Sequence, residues 1–411
     1  MLEIRGLIKR VPVSFFVCAL LFIYPLGALL PILCEIYNRK KYAFVLLSVF
    51  MGLCAILFPP FADLYRHNLN YFNFSHEYST FEIVTSNGLD FLLHTISNTF
   101  SDLNINFELI RFLFAFTSYQ ISFYLFRNIV SKNRELSENQ KIYFISFLCV
   151  FLSVPFIWIV NGLRYTLAAS FLLMALYRMF FIRKYNWWIW MVLAAISHFG
   201  ILPIVFVALL LYYLRSFRIN PIFAFLFSAI FAVIGMNLLL SIIDILPLEG
   251  SVKIIVNVYI KGNEGFTDSR SFMGLLANII ERTPLIPFLL FYRREDNPKI
   301  DNIYLAFVVL IGVSFPVMVL YDRVTLVAMQ FFLFCFLYLY RNTRLKKNMC
   351  QLLLLCYLIS NIAYLYGYRE PLFYGRTYKL MYSSMPAILC NNYDINWIRK
   401  NLDSDGEFKK Y

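Results

Sequence analysis

The chain has 411 residues, of which 60% are hydrophobic, 19% aromatic and only 15% charged, with a net charge of +13. Soluble domains carry about 25% charged residues, so composition excludes an ordinary water-soluble enzyme. The Lys and Arg residues stand in short clusters between apolar runs rather than on one contiguous face, which argues against a nucleic-acid partner. Apolar runs of roughly 20 residues, enough to cross a bilayer core, recur from residue 13 to residue 366. They are continuous rather than alternating, which predicts helices and not a β-barrel. The expected fold is an all-α polytopic integral membrane protein of about 11–12 transmembrane helices, forming a single membrane domain over residues 1–411.

In chain order, the spans are expected at 13–36, 43–61, 107–126, 142–160, 163–182, 187–197 with 199–214, 221–246, 273–291, 303–320, 324–340 and 349–366. The first follows Arg5, Lys9 and Arg10 without a small-x-small cleavage site and reads as a retained helix. The loops fall into two kinds. Short basic ones lie at 38–42, 127–141, 182–186, 214–218, 292–299 and 341–348. Aromatic and polar ones lie at 62–106, 161–164, 247–272 and 321–323. The positive-inside rule puts the basic set in the cytoplasm and the other set, with an outward-facing active site, on the far side of the membrane. On this assignment 187–214 enters and returns on one side, with His198 near its tip, and the basic tail 367–411 lies outside; the alternative is one tilted span through 187–214, which would reverse everything downstream. Segment 88–106 reads as an amphipathic helix in the outer interface.

The polar residues that interrupt span edges gather on that outer side. Asn161, Gly162 and Arg164 break the run "WIVNGLRYTLAASFLLMAL". Arg164 either snorkels to lipid phosphates or faces a cavity as a phosphate clamp, because guanidinium matches phosphate oxygens bidentately and stays charged. Arg323 either is neutralised by its neighbour Asp322 or forms a second arginine of the same site. Arg282 with Glu281 reads as structural glue. In "FPPFADLYRHNLNYF" Pro59-Pro60 ends a helix. If the segment beyond is helical, Asp63, His67 and Tyr71 share one face, with Arg66 alongside. A carboxylate and an imidazole so placed suit a general base and its orienting partner. His198 is the one histidine embedded in an apolar stretch, either hydrogen-bonded in the bundle or a proton acceptor facing a cavity. No Walker A, GxSxG, HExxH or strand-linked GxGxxG is present. The eight cysteines and four histidines show no metal-ligand spacing, so neither a metal nor any other cofactor is expected.

The segments "ADLYRHNLNYF" (62–72), "NGLRYTLAASFLLMAL" (161–176), "ISHFGILPIVFVAL" (196–209) and "DRVTLVAMQFFLF" (322–334) occur in that order and resemble the EpsG/Wzy-type polysaccharide polymerase family. The chain departs from the family in carrying Tyr165 where Gln is common, and "GLDFLL" (88–93) where a Glu-Pro pair is common. The resemblance implies a multi-pass glycosyltransferase of the bacterial inner membrane. Such an enzyme joins oligosaccharide repeat units carried on undecaprenyl diphosphate at the periplasmic face, with membrane lipid around it and a chain-length regulator as a possible partner. An O-antigen ligase is the alternative, and a lipid-linked sugar flippase a more distant one. In the polymerase reading Arg164, Arg323 and Arg66 hold the diphosphate, and His198 or Asp63 serves as the base. Asn161, His67, Tyr71 and Tyr259 contact the sugars.

Overall fold

The structure is a computed structural model that describes residues 12–73, 91–213, 219–245, 279–291 and 298–409. The chain is an all-α polytopic membrane protein, and the described residues form helices in nearly every segment. In order these are α1 (Val13–Ile23), α2 (Pro25–Tyr37), α3 (Lys41–Leu57), α4 (Asp63–Asn73), α5 (Phe91–Asp102), α6 (Phe107–Lys132), α7 (Gln140–Leu152) and α8 (Phe156–Asn161). They continue as α9 (Leu163–Leu176), α10 (Trp187–Ser197), α11 (Leu202–Tyr213), α12 (Pro221–Ile245), α13 (Leu285–Phe291), α14 (Pro298–Ser314), α15 (Met318–Tyr338) and α16 (Arg344–Gly367). One π turn, Tyr177–Phe181, prolongs α9. Four stretches among the described residues are long and apolar enough to cross a membrane unaided: Phe107–Lys132, Gln140–Asn161, Val319–Tyr338 and Arg344–Gly367.

The expected span 13–36 is two helices, not one. The chain leaves helical geometry at Tyr24 (φ −143°, ψ 85°) and restarts with Pro25, whose fixed φ and missing N–H suit a first helical position. The two helices pack on each other. Deeper in the bundle α3 lies along α6, α9 along α10, α12 along α14, and α7 along α16. Phe44 anchors the first contact, with ring centroids 5.7 Å from Phe123 and 5.6 Å from Phe147.

The helix ends sort into two levels. At the basic end, Asn133 beyond α6 donates to the carbonyls of Leu337 (3.1 Å) and Tyr340 (2.9 Å) at the end of α15. Lys132 lies over the Tyr177 ring. At the other end gather the C-terminus of α3, all of α4, the α8–α9 break, the start of α15 and the residues after α16. The helix break expected at His198 is present: α10 stops there in extended geometry (φ −162°, ψ 116°) and a 3₁₀ turn, Phe199–Ile201, leads into α11. The second half of that hairpin differs from expectation. α11 packs on α14, and Ser228 near the start of α12 sits against Gly312 near the end of α14, where a Cβ would overlap its hydroxyl. The start of α12 therefore lies at the level of the end of α14, which fits a single tilted crossing through 187–214 rather than a hairpin.

α5 also differs in what it buries. His94, Ser97, Asn98 and Ser101 face inward with Leu93, toward α4, α6 and α10. A helix lying on a membrane surface would turn its polar face outward. Here buried polar groups on neighbouring helices face this one, so its polar side is the packed side.

Candidate active site

The α8–α9 break is fixed by its own backbone. Gly162 N donates to Trp158 O (2.9 Å), and the Thr166 hydroxyl donates to the same carbonyl (2.8 Å). A Cβ on Gly162 would stand 3.1 Å from that oxygen, so glycine permits the close turn. The break lifts Arg164 into the first turn of α9, half-buried, where the helix dipole also favours an anion. Asn161 is hydrogen-bonded to the Tyr368 side chain.

One cluster forms between this turn and α4. Asp63 and His67 are one helical turn apart, with His67 Nε2 3.4 Å from Asp63 Oδ2. His67 is buried and the Asp63 side chain half-exposed. Burial alone would raise the Asp63 pKa. The interaction with His67 and the positive charges of Arg164 and Arg66 overcome it and hold the carboxyl down at about 2. That electrostatic reach places Arg164 and Arg66 around Asp63, with Arg66 exposed. His94 on α5 joins edge-on, its ring centroid 6.5 Å from that of His67. Tyr71 points elsewhere. Its hydroxyl donates to the Ile105 carbonyl and its ring packs 5.4 Å from Phe107, so it ties α4 to the start of α6.

A second cluster forms on the other side of the same turn of α9. The Tyr165 hydroxyl donates to the Arg323 carbonyl (2.5 Å), and the Arg323 guanidinium lies over the Tyr165 ring, 5.5 Å from its centroid. The buried His198 meets Tyr165 edge-on at 5.6 Å. A Cβ on Gly200 would come within 3.1 Å of His198 Nε2 and 3.3 Å of Arg323 Nη1, so this glycine leaves room for both side chains to converge. Arg164 and Tyr165, adjacent in sequence, thus face the two clusters from one helix start.

Asp322, expected as a possible partner of its neighbour Arg323, pairs instead with Arg282. Glu281 is 4.0 Å from the same guanidinium, which also covers the Tyr321 ring at 5.0 Å. Arg282 is buried and flanked by two carboxylates, whereas Arg323 turns to an aromatic ring and a histidine. Tyr259, Asp90 and the loop 247–272 lie outside the described residues. No group of three or more His, Cys, Asp or Glu side chains arranged to hold a metal occurs among the described residues.

The sequence reading passed over two features. His94 is one. The other is a lock beneath the site, where Glu108 and Arg111, one turn apart at the start of α6, are both fully buried. Arg111 Nη2 donates to the carbonyls of Ala55 (2.5 Å) and Phe58 at the end of α3. Glu108 accepts from Tyr393 N (2.9 Å). The Tyr393 hydroxyl donates to Leu57 O (2.6 Å) and accepts from Arg376 N (2.8 Å). Arg376 reaches Asn391 Oδ1 (3.1 Å) and Asn392 O (2.7 Å). The tail is thereby pinned to α3 and α6. Two charges three residues apart at the edge of an apolar run were the available signal.

The chain matches the EpsG family over residues 52–370, from within α3 to just past α16. No curated protein and no solved structure matches it. The chain belongs to the EpsG family and is a membrane-embedded, glycosyltransferase-like protein of the polysaccharide-polymerase type.

Proposed function

We propose that the protein polymerises O-antigen or a related polysaccharide by joining oligosaccharide repeat units carried on undecaprenyl diphosphate, at the periplasmic face of the bacterial inner membrane. The observation that carries this reading is the pair of clusters flanking the start of α9, with Asp63, His67, Arg66 and Arg164 on one side and His198 and Arg323 on the other, at the end of the bundle opposite Lys132 and Asn133.

The bond between the anomeric carbon of one unit and its diphosphate breaks, and the electron pair leaves on the phosphate oxygen. Arg164, Arg66 and Arg323 stabilise the charge that develops there. A hydroxyl of the second unit attacks the anomeric carbon, forming the new glycosidic bond, and gives up its proton. Asp63, held down at about 2, is a carboxylate with little proton affinity, so its part is to orient His67 and stabilise it once protonated. His67 takes the proton. His198, beside Arg323, completes the diphosphate side, and Asn161 borders the sugar path.

Arg164→Ala and Arg164→Lys test the reading in a deletion background. Each should lower polymerisation by about 10²–10³-fold, so that the surface glycan collapses to single-repeat length on a gel while the protein stays in the membrane at wild-type level. Long ladders from Arg164→Ala would refute the role of this arginine.

A further inference from the structure

Residues 366–382, just past α16, carry an unusual surface. Tyr366, Phe373, Tyr374, Tyr378, Met381 and Tyr382 are all exposed, from 51% at Tyr378 to 83% at Phe373. On a water-facing surface, so many large apolar side chains in so short a stretch would form a patch of the kind that marks an interaction site. The patch continues an established apolar face. On α16, Leu355, Leu358, Ile359, Ile362 and Leu365 are exposed at helical spacing. That helix is the least buried of the four long apolar ones, with 33% of its window inside the protein against 61–78% for the others. This stripe is where α16 meets lipid.

The length of α16 places the patch. Its basic start includes Arg344, Lys346 and Lys347, and 20 residues separate Lys347 from Gly367, a rise of about 30 Å, the thickness of a hydrocarbon core. With the lysines at one headgroup layer, Gly367 reaches the other. The chain then turns through the short helix Arg369–Tyr374 and the 3₁₀ turn Thr377–Met381, which bury Pro371 and present the aromatic rings outward. Tyr and Trp favour this depth because their apolar rings and polar tips match the two sides of the boundary.

We propose that residues 366–382 form an interfacial anchor seated in the phospholipid headgroup layer at the site end of the bundle. The anchor is joined to the candidate site by stacked rings. Tyr374 stacks on Phe408 (5.0 Å, 25°), and Phe408 stacks on Phe61 (5.8 Å, 15°), two residues before Asp63. The lipid surface therefore sets the depth of α4. This surface does not depend on which reaction the site performs.

The test is a depth measurement on the whole protein in phospholipid nanodiscs. Phe373→Trp and Tyr382→Trp each add one fluorophore, read as the difference from the wild-type protein with its five native tryptophans. The added emission should be blue-shifted and quenched at least about twofold more by lipids brominated at the 6,7 positions than at the 11,12 positions. Emission from residues 373 and 382 that is fully hydrated and unquenched by either lipid would overturn the proposal, as would stronger quenching by the deeper bromines. So would a response to added polysaccharide in place of lipid.

Discussion

Arg111 and Arg164 stand at the same end of the bundle, and their surroundings differ in kind. Arg111 is fully buried, and its guanidinium closes the last carbonyls of α3 while Glu108, one turn away, receives the tail. Arg164 is half-buried in the first turn of a helix that a glycine has broken, and shares its field with an aspartate that remains half-exposed. Arg282 resembles the former, with a carboxylate on either side. Arg323 resembles the latter, directed at a ring and a histidine. A charge whose contacts are backbone carbonyls and fixed carboxylates holds helices together. A charge in a half-exposed cluster with other cations adds to a local field that favours an anion.

The comparison is broken most severely if Arg111 can be removed without harm. Arg111→Leu leaves two helix-end carbonyls and a buried carboxylate without their cation, a change that costs about 3–5 kcal/mol in buried pairs. Folded, detergent-extractable protein should fall steeply, as size-exclusion profiles would show, whereas Arg164→Ala should extract like the wild type. A smaller effect is expected for Arg323→Lys, which keeps the charge but loses the planar group lying over Tyr165. Turnover should drop about tenfold at unchanged melting temperature, measured with purified lipid-linked units. Unchanged turnover would move Arg323 to the structural class.

Acid stability sharpens the contrast further. The folded Asp63 pKa, about 2, lies below its ordinary 3.8. Its stabilising contribution is therefore complete above pH 3.8 and disappears as the pH falls toward 2. Asp63→Asn should flatten the loss of melting temperature over that window and leave the slope above it unchanged. The smallest effect belongs to Arg134–Glu138, an ion pair at the basic end whose side chains are 88% and 63% exposed. Arg134→Ala should change stability by no more than about 0.5 kcal/mol and activity not at all.

Much of this was legible in the sequence. Continuous apolar runs required helices, and Gly162 just before Leu163-Arg164 and His198 inside an apolar stretch announced the two breaks that shape the site. Pairings between distant segments were not legible. Asp322 precedes Arg323, so adjacency suggested that they pair, but successive helical residues point in different directions and Asp322 meets Arg282 instead. The inward polar face of α5 escaped because amphipathicity reports that two faces differ, not which one is packed. Glu108 and Arg111 sit in a run apolar enough to read as a plain span, and their partner Tyr393 is 285 residues away from Glu108.

The pinned tail also bears on how the protein is made. Leu57, at the end of α3, is closed by Tyr393 and Arg376, and Ala62, just before α4, donates to the Gly406 carbonyl. Residues 376–406 leave the ribosome after every helix they fasten. The end of α3 and the start of α4 stay uncapped until residues 376–406 have been made.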